Sequence, residues 1–170
     1  AAFPAPAAEV TYRVELSGAA NVPDATKTPA TGLFEMTVAA NGQSVSYVLT
    51  LTDIQNVVEA DIHLGPAGAN GPLVVKLYHA NTAKKGPFSG VLAQGTFDAS
   101  DLIGPLAGAD LEELLEQVRA GSAYINVHTS DGVAYADLMI DGHRKTWPLP
   151  SRDIAVYGRQ KPLRPRKRAR

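Results

Sequence analysis

The sequence predicts an all-β fold, an antiparallel β-sandwich or barrel of Greek-key-like type, with one short α-helix near residues 110–120 and extended termini. Three observations predict it. Short segments alternate apolar and polar side chains, which is the period of a half-buried strand. Gly, Pro, Asn and Asp clusters separate these segments at short intervals. A single stretch carries helical periodicity instead.

"VTYRVELSG" (Val10–Gly18) sends Val10, Tyr12, Val14 and Leu16 to one face and Thr11, Arg13 and Glu15 to the other. The loop "AANVPDATKTPATG" comes next, with two prolines. "LFEMTVAA" (Leu33–Ala40) and "SVSYVLTLT" (Ser44–Thr52) flank "NGQ", whose Asn-Gly pair suits a tight hairpin turn. "VVEADIHLG" is a fourth strand, closed by "GPAGANGP". "LVVKLYHA" (Leu73–Ala80) is a fifth, and "GVLAQGTFDA" (Gly90–Ala99) is another. "DLEELLEQVRAG" is the helix: Asp110 fits the N-cap and Glu113 its capping-box partner, while Leu111, Leu114, Leu115 and Val118 share one face. Gly121 suits the position after the helix. "SAYINVHTS" (Ser122–Ser130) and "VAYADLMID" (Val133–Asp141) form a closing hairpin around Asp131-Gly132.

At 170 residues the chain has one domain's worth of sequence and 45% hydrophobic content, enough for a real core. The boundaries read as a Pro/Ala-rich arm (1–9), a β domain (10–146) and a Pro-rich basic arm (147–170). No apolar run reaches the ~18–20 residues that span a bilayer as a helix. There is no cysteine, which excludes disulfides, thiolate metal sites and a Cys nucleophile. The opening "AAFPAPAAEV" resembles a mature N-terminus left by signal-peptide cleavage at a small-residue site, although a trimmed chain would start the same way, so export is the expectation. A net charge of −1 conceals an asymmetry: residues 159–170 hold seven of the 16 Lys/Arg and none of the 17 Asp/Glu. The remainder, with nine basic and 17 acidic residues, stands at −8.

Four stretches, in order, resemble the chordin-type (CHRD) domain family. "ELSGAANVP" is similar to its opening "LSGxxEVPP", and "TPATGLFEMTV" to "TxAxGxAxFTL". "ADIHLGPAGANGPLVVKL" is similar to "AHIHxGxxGxNGPVVxxL", and "DLEELLEQVRAGSAYINVHTSDG" to "DLLAALRAGNAYVNVHTxxxPxG". The resemblance covers about Val10 to Met139. It implies an all-β, extracytoplasmic, non-enzymatic module. Two departures stand out. The family's "HIH" is "DIH" here, with Asp61 in place of the first histidine, and its closing "GGEIRGQL" is "GVAYADLM" without Glu or Arg.

On a strand Asp61 and His63 project from one face, as do Asn126 and His128. The first reading is structural: each His bonds a loop carbonyl, and Asp61 caps the "GPAGANGP" turn. The alternative is a mononuclear metal site, His63 and His128 with Asp61, whose open fourth position suits Zn²⁺ or Cu²⁺. Without that alternative no cofactor is expected. His79 and His143 sit beside predicted turns and read as solvent-facing. No serine lies in a G-x-S-x-G elbow and no glycine loop leads into a helix, so no catalysis is expected.

The tail cations Arg159, Lys161, Arg164, Arg166, Lys167, Arg168 and Arg170 read as a partner-binding set, against the default of a disordered solubilising end for such a run. With no aromatics for base stacking and an acidic body, nucleic acid is not the expected partner. The expected partners are other subunits of a larger assembly, with an anionic membrane surface as a second candidate. The arm from Trp147 to Arg170 could reach up to ~75 Å at about 3.1 Å per residue. The functional expectation is a non-catalytic extracytoplasmic accessory module docked through this arm, with the metal protein as the alternative.

Overall fold

A computed structural model describes residues 8–20, 27–66, 69–130 and 134–139, with the backbone alone for 83–84 and 134–139. It is an antiparallel β fold with one α-helix. The strands are β1 (Val10–Ser17), β2 (Thr31–Val38), β3 (Ser44–Leu64), β4 (Leu73–Asp98), β5 (Ala123–Thr129) and β6 (Ala134–Met139). Helix α1 (Leu111–Arg119) lies between β4 and β5. One sheet runs β1-β2-β3-β5-β6, with β4 hydrogen-bonded to β3. The sheet curls until β1 and β6 lie against each other.

The alternation seen in the sequence sets the inner face. Tyr12, Val14 and Leu16 of β1, Phe34 and Met36 of β2, and Val45, Leu49 and Leu51 of β3 are buried in one core. The outward residues pair across strands: Thr11 with Thr37 through hydroxyls 2.9 Å apart, and Arg13 with Glu35 at 2.9 Å. Tyr47 lies 6.1 Å from both Phe34 and Phe97, and its hydroxyl donates to the Leu77 carbonyl at 2.9 Å.

The long strands differ from expectation. Ser44–Thr52 and "VVEADIHLG" are one strand, and so are Leu73–Ala80 and Gly90–Ala99. Asp53 and Asn56, residues that resemble a strand break, take positive φ (54° and 53°) and bend β3 without ending it. Asn and Asp tolerate this region better than other residues with a Cβ. The bend is held from the neighbours: the Asp53 N–H donates to Ser89 Oγ, the Gly86 N–H to Asn56 Oδ1, and the Ser130 N–H to the Asn56 carbonyl. Its consequence is topological. Before the bend β3 pairs with β2, and after it with β5, while β4 runs along the opposite edge throughout.

Helix α1 buries Leu111, Leu114, Leu115 and Val118, and Gly121 comes after it at φ 68°. The expected Asp110 capping box is absent, because Asp110 makes no side-chain cap bond. A capping box forms instead at a 3-10 turn, where Asp98 accepts from the Ser100 N–H and Asp101 from the Asp98 N–H. His79 is exposed as expected, yet it stands within β4 and not beside a turn. The Asp131-Gly132 turn, His143 and most of both arms lie outside the described residues.

Candidate metal centre

Beyond the bend, β3 and β5 run antiparallel with Glu59 opposite His128, Asp61 opposite Asn126 and His63 opposite Tyr124. Alternation therefore places Glu59, Asp61 and His63 on the same face as Tyr124, Asn126 and His128. Ala60, Ile62, Ile125 and Val127 take the other face and have no exposed surface. That apolar set pins the register, since a slip of one residue would drive the polar set into the core.

One potential ligand atom from each of Asp61, His63 and His128 lies within 4.8 Å of the other two. The orientation of His63 comes from the turn between β3 and β4. Its Nδ1–H donates to the Gly71 carbonyl at 2.9 Å, which leaves Nε2 with a lone pair and no hydrogen-bond partner. The ring stacks on Tyr124, with centroids 5.3 Å apart and planes inclined by 19°. The Tyr124 hydroxyl in turn accepts from the Gly71 N–H at 2.8 Å. Gly71 thus ties the imidazole to the phenol through its own peptide groups. No larger residue fits there: a Cβ on Gly71 would stand 1.5 Å from the Leu64 carbonyl oxygen.

Asp61 is fully buried, and neither carboxylate oxygen has a hydrogen-bond partner among the described residues. Burial, reinforced by the negative charge of Glu59, pushes its pKa up to about 7; Lys76, opposite on β4, acts in the other direction. His128 is half-buried, its ring centroid 6.3 Å from that of His63. Burial lowers its pKa and so favours the neutral imidazole, with Glu59 opposing and His63 assisting. Asn126 Nδ2 donates to His128 Nε2 at 3.1 Å, while Asn126 Oδ1 has no partner. This amide orientation engages the His128 Nε2 lone pair; the flipped amide would accept from Nε2–H and leave the Nδ1 lone pair free.

The site is therefore a set of acceptors with no donor among them: both Asp61 oxygens, His63 Nε2 and Asn126 Oδ1. Such a set can be satisfied by a proton or by a cation. Two imidazoles and a carboxylate form a donor set for Zn²⁺ or Cu²⁺.

The structural reading of these residues holds in part. His63 does bond a loop carbonyl and His128 bonds a side chain; the turn that Asp61 is expected to cap lies partly outside the described residues. The tail cations, Arg159 to Arg170, lie outside the described residues. Gly71 and Tyr124 hold the site and Glu59 borders it, although the sequence did not single them out. Glu59 and Tyr124 share the same alternation, two positions before Asp61 and Asn126. Gly71 gave no such signal, because its close approach to Leu64 exists only once the turn has folded. No described helix is long and apolar enough to cross a membrane.

Comparison with curated proteins and with solved structures gives no match. The model of the CHRD domain family matches residues 12–135, and the chain belongs to that family.

Proposed function

We propose that this CHRD module is a non-catalytic, extracytoplasmic binding protein for one divalent transition-metal ion, Zn²⁺ or Cu²⁺, held by Asp61, His63 and His128. The observation that carries the reading is the buried Asp61 carboxylate, which with Nε2 of His63 has no hydrogen-bond partner among the described residues. A buried anion left unpaired costs several kcal/mol, and a cation in the same enclosure offsets that cost. His63 is already oriented as a ligand by its Nδ1–H bond to Gly71, the arrangement usual for metal-bound histidine. Family membership supports the extracytoplasmic setting. For this donor set Cu²⁺ is expected to bind more tightly than Zn²⁺.

The direct test is metal content. Protein loaded with Zn²⁺ or Cu²⁺ and dialysed is expected to retain one ion per chain. His63→Ala and His128→Ala are each expected to retain none. Retention in either variant would assign the ion to the surface, and a wild-type chain without stoichiometric metal would end the reading.

A second reading has its own support in the charge distribution, seven basic and no acidic residues in 159–170 against a body at −8. In this reading the tail docks the module onto an anionic face of a larger assembly or of a membrane. Deletion of 159–170 is expected to leave the melting curve unchanged and to weaken docking most at low ionic strength. Loss of vesicle binding by ~1 kcal/mol per removed charge would identify lipid as the partner. A truncated chain that co-purifies with its assembly as well as the full chain would dismiss a docking tail.

A further inference from the structure

The alternation that aligns Asp61 with His63 continues outward to Glu59. In the β3 register Glu59 stands opposite His128 on β5 and opposite His79 on β4. Its Oε1 lies 3.7 Å from His79 Nδ1. That is too long for a hydrogen bond. It is close to the roughly 3.3 Å that separates two ligands on a tetrahedral Zn²⁺ with bonds of about 2.0–2.1 Å. Exposure rises from Asp61 through Glu59 to His79. Asp61 is fully buried, His63 and His128 are half-buried, and the side chains of Glu59 and His79 are 30% and 58% exposed. The charge of Glu59 is felt at both Asp61 and His128, so the outer pair and the inner cluster share one electrostatic field. Lys76 stands opposite Asp61, between the β4 positions that face Glu59 and His63.

We propose that Glu59 and His79 form the mouth of the metal centre, capturing a hydrated divalent cation at the surface and passing it inward to Asp61, His63 and His128. The inference rests on the metal-binding reading above. An ion that enters a buried site must exchange water for protein ligands. A half-exposed carboxylate and imidazole allow the exchange to proceed stepwise, with charge compensation at each step. A device of this kind changes the rates of loading and release together and leaves affinity nearly unchanged. A ligand of the final site changes affinity.

The test is stopped-flow loading of the metal-free full chain with Zn²⁺, monitored through a chromophoric zinc indicator, together with the equilibrium Kd from competition with the same indicator. Glu59→Gln is expected to slow loading about tenfold and to flatten its dependence on ionic strength, with Kd altered less than about threefold. His79→Ala, a second and more exposed substitution, is expected to slow loading in the same sense. Unchanged loading in both variants would overturn the proposal while leaving the inner site standing. A large loss of affinity at an unchanged loading rate would also overturn it, by making Glu59 a ligand. Failure of the wild-type chain to take up Zn²⁺ would remove the inner site, and the mouth with it.

Discussion

Asp61→Asn is expected to abolish metal binding and, at the same time, to stabilise the metal-free protein above pH 7. The folded-state pKa of Asp61, about 7, exceeds its ordinary value of 3.8. The folded protein therefore holds this proton more tightly than the unfolded chain does. Between these two values the native state binds more protons, so the Asp61 contribution to stability falls as pH rises. The contribution is fully present below about pH 4 and is lost by the time the pH passes about 7. At 1.36 kcal/mol per tenfold change in proton affinity, the swing is on the order of a few kcal/mol. His128, with its pKa lowered by burial, works in the opposite sense, favouring the fold above its ordinary 6.5 and losing that contribution in acid. The difference between wild type and Asp61→Asn isolates the carboxylate from this background.

The amide has the shape of the carboxylate without its charge, and its N–H groups can supply His63 Nε2 and Asn126 Oδ1, which have no donor. Denaturant titrations from about pH 4 to pH 8 would show the variant gaining on the wild type as pH rises. A constant difference would contradict the assigned role of burial at Asp61. Metal should reverse the order. Loss of a group that only orients a ligand already costs about 10–100-fold in affinity, so loss of the carboxylate should cost at least about 100-fold. At roughly a hundredfold excess of metal over Kd the wild type gains ~2.7 kcal/mol that the variant does not.

Gly71→Ala is expected to give the largest single loss of stability in the site, although Gly71 offers no side chain to it. The added methyl would occupy the space of the Leu64 carbonyl, 1.5 Å away, and backbone on both sides leaves little room to yield. Opening the turn puts three bonds at risk: Leu64 N–H to the Pro72 carbonyl, Gly71 N–H to Tyr124, and His63 Nδ1–H to Gly71. At about 1 kcal/mol for each bond, a loss of ~3 kcal/mol or more is expected by chemical denaturation. The milder Tyr124→Phe keeps the ring stacked on His63 and removes the acceptor of the Gly71 N–H. It should cost about 1 kcal/mol in stability and roughly tenfold in metal affinity. If Gly71→Ala bound metal as the wild type does, the turn would have no part in aiming His63.

Alternation along the chain was sufficient to define the inward faces of β1, β2 and the first half of β3, because a strand with one buried face must repeat every second residue. Helix α1 was legible for the corresponding reason, with Leu111, Leu114, Leu115 and Val118 at helical spacing. The pairing of Asp61 with His63, and of Asn126 with His128, comes from the same period of two. Local chemistry misled where two outcomes share a signal. Asp53 and Asn56 suit a turn, and they also suit a positive-φ bend inside a strand. Hydrogen bonds from Gly86 and Ser130, distant in sequence, decide between the two.

Most of the strand segments, the helix, the family and the two halves of the candidate site are thus written in the order of the amino acids. Their union into one site is not. The bend in β3 hands its outer edge from β2 to β5, and that exchange brings His128 alongside Asp61 and His63. Folding also sets the character of Asp61. The period of two aligns this carboxylate with His63, and the fold encloses it without a donor among the described residues, so that burial carries its pKa to about 7. Burial is a property of everything packed around a residue, and the period of its own strand does not contain it.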